Sequence, residues 1–130
     1  VNEERPTRLI NMLKEMVGPL RGKRICVLGV AFKPNTDDTR ESRALLVIKK
    51  LLEEGAEVVA YDPKARTDLV KMAKTKEECI RDSEAVIIAT EWQEFYGIED
   101  LLRGKYVVDG RRVLRKELMD RRYFRAFGLG

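Results

Sequence analysis

Four short apolar runs set the terms for any fold this chain can adopt: RICVLGV (24–30), AEVVAYDP (56–63), EAVIIAT (84–90) and KYVVDG (105–110). Their apolar residues are consecutive, not alternating with polar ones, and rich in Val and Ile. A strand with one wet face alternates. A strand that is apolar throughout is buried on both faces, as in a parallel sheet covered by helices. Between the runs the spacing turns helical. Leu45, Leu46, Ile48, Leu51 and Leu52 predict a helix over 40–54, stopped by Gly55. Leu9, Ile10, Leu13, Met16 and Val17 predict another from Glu3 to Val17, broken at Gly18-Pro19. Residues 69–80 read as one or two helical pieces, and WQEFYGIEDLLRG as a loop and short helix. The tail reads as a turn around Arg115–Met119 and then YFRAFG as a fifth strand. The expected class is α/β: a Rossmann-like three-layer parallel sheet with helices on both faces, preceded by an N-terminal helix.

Open sheets of this kind bind ligands at the carboxyl ends of their strands, so the residues after each run carry the functional question. The first turn, VLGVAFKPNTDDTRES (27–42), has the position of a dinucleotide phosphate loop but only one of its glycines, Gly29. Asp38 and Glu41 have capping-box spacing at a helix start. The free N–H groups of that helix end would attract an anion, Lys33 adds a mobile positive charge, and Phe32 adds a flat face. The alternative is a plain strand-helix connection with Phe32 in the core. On the residues alone both stay open. Asp62, in AYDP, has the place of a ribose-binding acid in dinucleotide folds, but without the glycine fingerprint it reads as a turn-forming Asp-Pro. Trp92, beside Phe95 and Tyr96, reads as packing. In DGRR (109–112) an arginine beside a glycine can reach the crevice, and its planar fork suits phosphate or carboxylate; Arg112 reads as surface charge.

Composition narrows the chemistry. A length of 130 residues, 44% apolar and 37% charged, suits one domain with its own core. The chain contains no histidine, which removes a Ser-His-Asp triad and histidine-based metal chemistry. Two cysteines, Cys26 and Cys79, make no metal site, and Cys26 inside an apolar run reads as a small buried hydrophobe. High Lys, Arg and Glu content without histidine hints at a thermophile. No apolar run is long enough to span a bilayer, and VNEERPTR lacks the layout of a signal peptide, so the expectation is a soluble cytoplasmic domain with no membrane partner. The net charge of +4 is uneven: residues 103–125 hold nine Lys/Arg against three Asp/Glu. A basic end suits an anionic partner. No zinc-finger spacing or RNA-binding aromatic motif accompanies it, so nucleic acid is not the expected partner. A non-catalytic interaction module with the same fold, or a nucleic-acid binder, are the rival classes.

The segments GVAFKPNTDDTRES, GAEVVAYDPKA, ATEWQEF and VVDGRRVL, in this order from about Lys23 to Leu114, together resemble the C-terminal UDP-binding domain of the UDP-glucose/GDP-mannose dehydrogenase family. The ATEWQEF and DGRRVL versions are most similar to those of its UDP-glucose 6-dehydrogenases. The resemblance implies an NAD-dependent oxidation of the C6 alcohol of a nucleotide sugar to a carboxylate, using two NAD. It implies that residues 1–20 are the end of a central linking helix and 21–130 the UDP-sugar-binding domain. The family's catalytic cysteine motif and NAD glycine fingerprint are absent here, so the expected chain is a substrate-binding half, inactive alone. Its expected partners are a UDP-sugar and the N-terminal and central domains, in a homo-oligomer at full length. By the same resemblance Phe32, Lys33 and Arg111 are substrate contacts and Arg40 reaches NAD, which is held mainly by the N-terminal domain. Where the family often has proline after RES, this chain has Arg43, a helix-opening position where both are tolerable. UDP-N-acetylmannosamine and GDP-mannose dehydrogenases are the runner-up members.

Overall fold

The computed structural model describes residues 4–40 and 42–129. The apolar runs form strands β1 (Arg24–Leu28), β2 (Glu57–Tyr61), β4 (Ala85–Ile88) and β5 (Tyr106–Asp109), with β3 (Lys71–Met72) and β6 (Phe124–Ala126) at the edges. All pairings are parallel, in the order β3-β2-β1-β4-β5-β6. Burial of β1 and β4 on both faces follows from their sequence: Ile25 to Leu28 and Ala85 to Ile88 are all buried. Helix α1 (Glu4–Val17) packs on α2 (Arg43–Glu53) and on β5, whereas α3 (Lys76–Arg81) packs on β1 and β2. The chain steps from β1 to β2 in one direction and from β2 to β4 in the other. Right-handed crossovers therefore put α2 and α3 on opposite faces.

Helix α2 starts later than its spacing predicts. Its N-cap is Ser42, whose Oγ accepts from Leu45 N–H and donates to the carbonyl of Val30 (2.7 Å). The predicted capping acid, Asp38, instead accepts from Arg40, and Glu41 lies outside the described residues. A buried serine that satisfies both a helix end and a strand end outcompetes a half-exposed acid four residues earlier. The 69–80 segment differs too. Its first part is strand β3, because Ala73 N–H finds the carbonyl of Ala60 on the open edge of β2 (2.8 Å). Only Lys76–Arg81 is helical, capped by Thr75 through Glu78 N–H (3.0 Å). The tail strand YFRAFG is present as β6.

The two cysteines are paired. Cys26 of β1 and Cys79 of α3 form a buried disulfide with Cα atoms 5.6 Å apart. This bond ties a six-residue helix, too short to be stable alone, to the central strand. Much of the basic tail is engaged locally: Arg103 with Asp100, Arg122 with Asp120, Lys105 with the carbonyls of Arg81 and Ser83, and Arg125 with those of Arg121 and Phe124.

Closing the 53-residue separation between the cysteines restricts the unfolded chain, and such bonds contribute about 2–4 kcal/mol. Urea unfolding with and without a thiol reductant should show a stability loss of that size, reproduced by the Cys26→Ala/Cys79→Ala pair. An unchanged midpoint in both would show that α3 is held by packing alone.

Candidate functional site

The strand order reverses direction between β1 and β4, so the crevice above their carboxyl ends is the place for a ligand. Its construction begins at Gly29. This residue has φ +103°, and a Cβ there would lie 2.5 Å from Thr90 Cβ and 2.6 Å from Thr90 N. The glycine is needed so that the β1 turn can lie against the β4 turn. Thr90, fully buried, then donates its hydroxyl to the carbonyl of Ala31 (2.9 Å). A cavity of about 400 Å³ walled by Ile25, Leu52, Val58, Leu69 and Cys79 lies at the opposite end, among the strand starts.

Asp62 organises the crevice floor. Its Oδ2 accepts from Val30 N–H (2.7 Å), Ala31 N–H (2.9 Å) and the Trp92 indole (3.0 Å). Its Oδ1 accepts from Lys64 N–H (2.9 Å) and Ala65 N–H (2.7 Å). The amides that a dinucleotide loop would offer to a phosphate are thus taken by an internal carboxylate. Asp62 has no oxygen left over for a ribose, and Trp92 is buried as packing requires, with its N–H satisfied. Asp109, also fully buried, does the same for the β5 turn, accepting from Arg111 N–H (3.1 Å) and Leu114 N–H (2.8 Å).

The loop after β1 closes on itself through Phe32 N–H to the carbonyl of Asp38 (2.7 Å). Asn35 takes a left-handed conformation at its tip, φ 68°. Phe32 is 40% exposed, which rules out the reading that put it in the core. Lys33 is exposed beside it. Arg111 comes from the far side. Its Nε donates to the carbonyl of Ala89 (2.9 Å) and lies 3.9 Å from Glu91 Oε1, with the side chain only 13% exposed. Burial pushes its pKa down, Glu91 pushes it up, and the like charge of Arg43 pushes it down again. Arg112 is exposed with φ 57°, a surface turn residue. Arg40 sits at the loop's end with its side chain 88% exposed.

Phe32, Lys33 and Arg111 therefore follow strand ends, those of β1 and β5, at one edge of the sheet, and Arg40 lies further along the same loop as Phe32 and Lys33. The sequence reading gave no part to Ser42 or Thr90 and little to Arg43. The signal for Thr90 was the lone Gly29, which implies a close neighbour without naming it.

Comparison with known proteins decides the kinship. The model of the UDP-glucose/GDP-mannose dehydrogenase family, UDP binding domain, matches residues 26–116. The chain belongs to the UDP-glucose/GDP-mannose dehydrogenase family. UDP-glucose 6-dehydrogenase AglM of Haloferax volcanii is 41% identical over 130 residues, spanning 92% of this chain and 30% of that protein. A UDP-glucose dehydrogenase from the hyperthermophilic archaeon Pyrobaculum islandicum superimposes with TM-score 0.83 at 41% identity, covering 98% of this chain and 30% of that one. A UDP-N-acetyl-D-mannosamine dehydrogenase of Methanocaldococcus jannaschii is 30% identical over 100% of this chain and 32% of its own length. The chain thus spans about a third or less of these relatives. Its segment is the family's UDP-binding one, with the Rossmann-like sheet of the dehydrogenases.

The five bonds into Asp62 join the turns after β1, β2 and β4. Asp62→Ala should therefore destabilise the domain by at least about 3 kcal/mol, since it strands several buried donors. Trp92→Phe, which removes one donor and keeps an aromatic ring, should cost about 1–2 kcal/mol. Chemical denaturation of both variants checks this. Equal losses would contradict a carboxylate-centred floor.

Proposed function

We propose that this chain is the substrate-binding portion of an NAD-dependent UDP-glucose 6-dehydrogenase, with Phe32, Lys33 and Arg111 as its UDP-sugar contacts. The family membership carries the reading, and the 41% relatives named for UDP-glucose favour that sugar. The geometry supplies the physical support. Lys33 on a self-closed loop and Arg111, its side chain largely withdrawn from water, follow the carboxyl ends of β1 and β5, with Glu91 as Arg111's neighbouring acid. A guanidinium in a drier setting interacts more strongly with a diphosphate than one in bulk water. Phe32 offers an exposed ring to the base or sugar. These residues bind and orient; the chemistry lies elsewhere in the longer protein. Cys26 and Cys79 are buried in a disulfide, so neither is a nucleophile at the crevice.

NAD, when bound, accepts hydride from C6. Asp62 occupies the turn amides of Val30 and Ala31, and the residue this reading assigns to the cofactor is Arg40, further along the loop after β1. In this reading helix α1 is the end of the linking helix within residues 1–20, residues 21–130 are the UDP-sugar domain, and the full-length enzyme is a cytoplasmic homo-oligomer. Among the described residues no helix is long and apolar enough to cross a membrane. A disulfide in a cytoplasmic protein fits the hyperthermophile exception to reducing conditions.

Titration calorimetry with UDP, UDP-glucose and GDP tests the assignment. Uridine nucleotides should bind and GDP should not. Lys33→Ala and Arg111→Ala should each weaken UDP binding by about 1–3 kcal/mol, the range for a charged hydrogen bond. Arg111→Lys should restore only part of the loss, because an ammonium cannot replace the fork. Arg40→Ala should leave UDP affinity intact. Unchanged affinity in both Lys33→Ala and Arg111→Ala would overturn the site.

A further inference from the structure

Two successive arginines after β5 serve opposite sides of that strand. Arg111 reaches to the carbonyl of Ala89 on the β4 side (2.9 Å). Arg112 lines a cavity of about 370 Å³ on the β6 side, whose apolar wall is Leu114, Phe124 and Ala126. The proposed function uses the first arginine and gives the second no part. Yet Arg112 is costly where it stands. Its φ of 57° is left-handed, a conformation that glycine adopts freely and a residue with a Cβ resists. The other described non-glycine residue with positive φ is Asn35, a type that tolerates this region. An arginine kept in such a backbone points to a use for its side chain.

No local contact supplies that use. Among the described residues Arg112 makes no side-chain hydrogen bond or salt bridge, and neither does Lys116, which lines the same cavity. The acids there are already engaged. Glu117 pairs with Arg115 (3.3 Å). Asp109 is fully buried and accepts from Arg111 N–H and Leu114 N–H. Two cations without a partner thus share one cavity with the half-buried ring of Phe124. The volume is within the range of small-molecule sites, roughly 300–1,000 Å³. A guanidinium fork takes two oxygens of one phosphate, and an ammonium adds a point charge. Together they match a phosphate monoester, which carries about −2 near neutral pH. The ring offers a flat face to an apolar body.

We propose that this cavity binds a phosphomonoester with an apolar or aromatic body, with Arg112 as its phosphate fork, Lys116 as its second cation and Phe124 as its wall. The cavity shares the Asp109 turn with Arg111 but lies on the β6 side of β5, away from the crevice above β1 and β4. Its ligand is therefore a second anion and not the UDP-sugar.

The test is saturation-transfer NMR on the full-length protein, with phenyl phosphate as the probe, at fixed moderate ionic strength and with saturating UDP present. Phenyl phosphate should bind saturably whether or not UDP is there. Inorganic phosphate, which lacks the ring, and phenol, which lacks the charge, should each compete less well. Arg112→Gly removes the fork and suits the left-handed backbone. It should raise the phenyl phosphate Kd about 5-fold or more, as loss of a charged hydrogen bond does, with an unfolding midpoint unchanged or higher. Lys116 is exposed, so Lys116→Ala leaves the fold alone and should raise the Kd about 2- to 5-fold. Arg121→Ala removes an exposed cation of the same basic segment outside the cavity and should change nothing. Displacement of phenyl phosphate by UDP would overturn the proposal, placing the probe in the crevice. So would the absence of saturable binding, or an unchanged Kd in both Arg112→Gly and Lys116→Ala. Equal weakening by Arg121→Ala would also overturn it, marking general attraction to the basic tail.

Discussion

A single carboxylate, Asp62, holds the binding end of this domain together. Three turns meet there, after β1, β2 and β4, and each brings N–H groups that the strands cannot satisfy. Buried donors left alone cost more than a formed hydrogen bond returns. One side-chain acid that accepts five bonds resolves all three turns at once. This also explains the departure from a dinucleotide loop. Where such a loop leaves its amides for a phosphate, this turn has already spent them on an internal anion. In the proposed function the external anion is met by side chains instead, those of Lys33 and Arg111, which follow the ends of β1 and β5.

The surroundings of Asp62 depend on close approach. Gly29 lets the β1 turn lie against Thr90, and Gly110 stands where a Cβ would come within 2.6 Å of the Ile88 carbonyl. Ser42 joins the start of α2 to the end of β1 through Val30. Strand ends, helix start and crevice thus form one hydrogen-bonded piece. The loop from Phe32 to Arg40 projects from it with its own closure, and the contacts attributed to substrate and cofactor sit at its two ends.

The parts of the fold that were legible in the sequence are those governed by local pattern. Consecutive Val and Ile in RICVLGV and EAVIIAT announce strands covered on both faces, and the leucine spacing after Ser42 announces a helix. The parts that were not legible depend on a partner distant in sequence. Lys71 and Met72 lie in a segment that local pattern reads as helix, and became strand because β2 offered an open edge. Cys26 looked like a small hydrophobe until α3 placed Cys79 over it. Asp38 has the spacing of a cap, but Ser42 had a second bond to make with Val30. Phe32 and Lys33 were readable as residues after a strand end, but whether Phe32 lay in the core or in the open stayed undecided until the fold left it 40% exposed. Arg43 was read as neutral, and only the fold brings its charge within range of Arg111.

By itself the sequence determined the α/β class, the parallel sheet, the edge at which a ligand belongs and the absence of histidine chemistry. It did so because hydrophobic period and strand-end position are local properties, written in neighbouring residues. Tertiary structure alone decided which acid serves the turns, which residue caps α2, which cysteines meet and how far Arg111 is withdrawn from water. Each of these is a competition between groups dozens of residues apart. It is settled by which buried polar atom reaches a partner first, and distance in space is not written in distance along the chain.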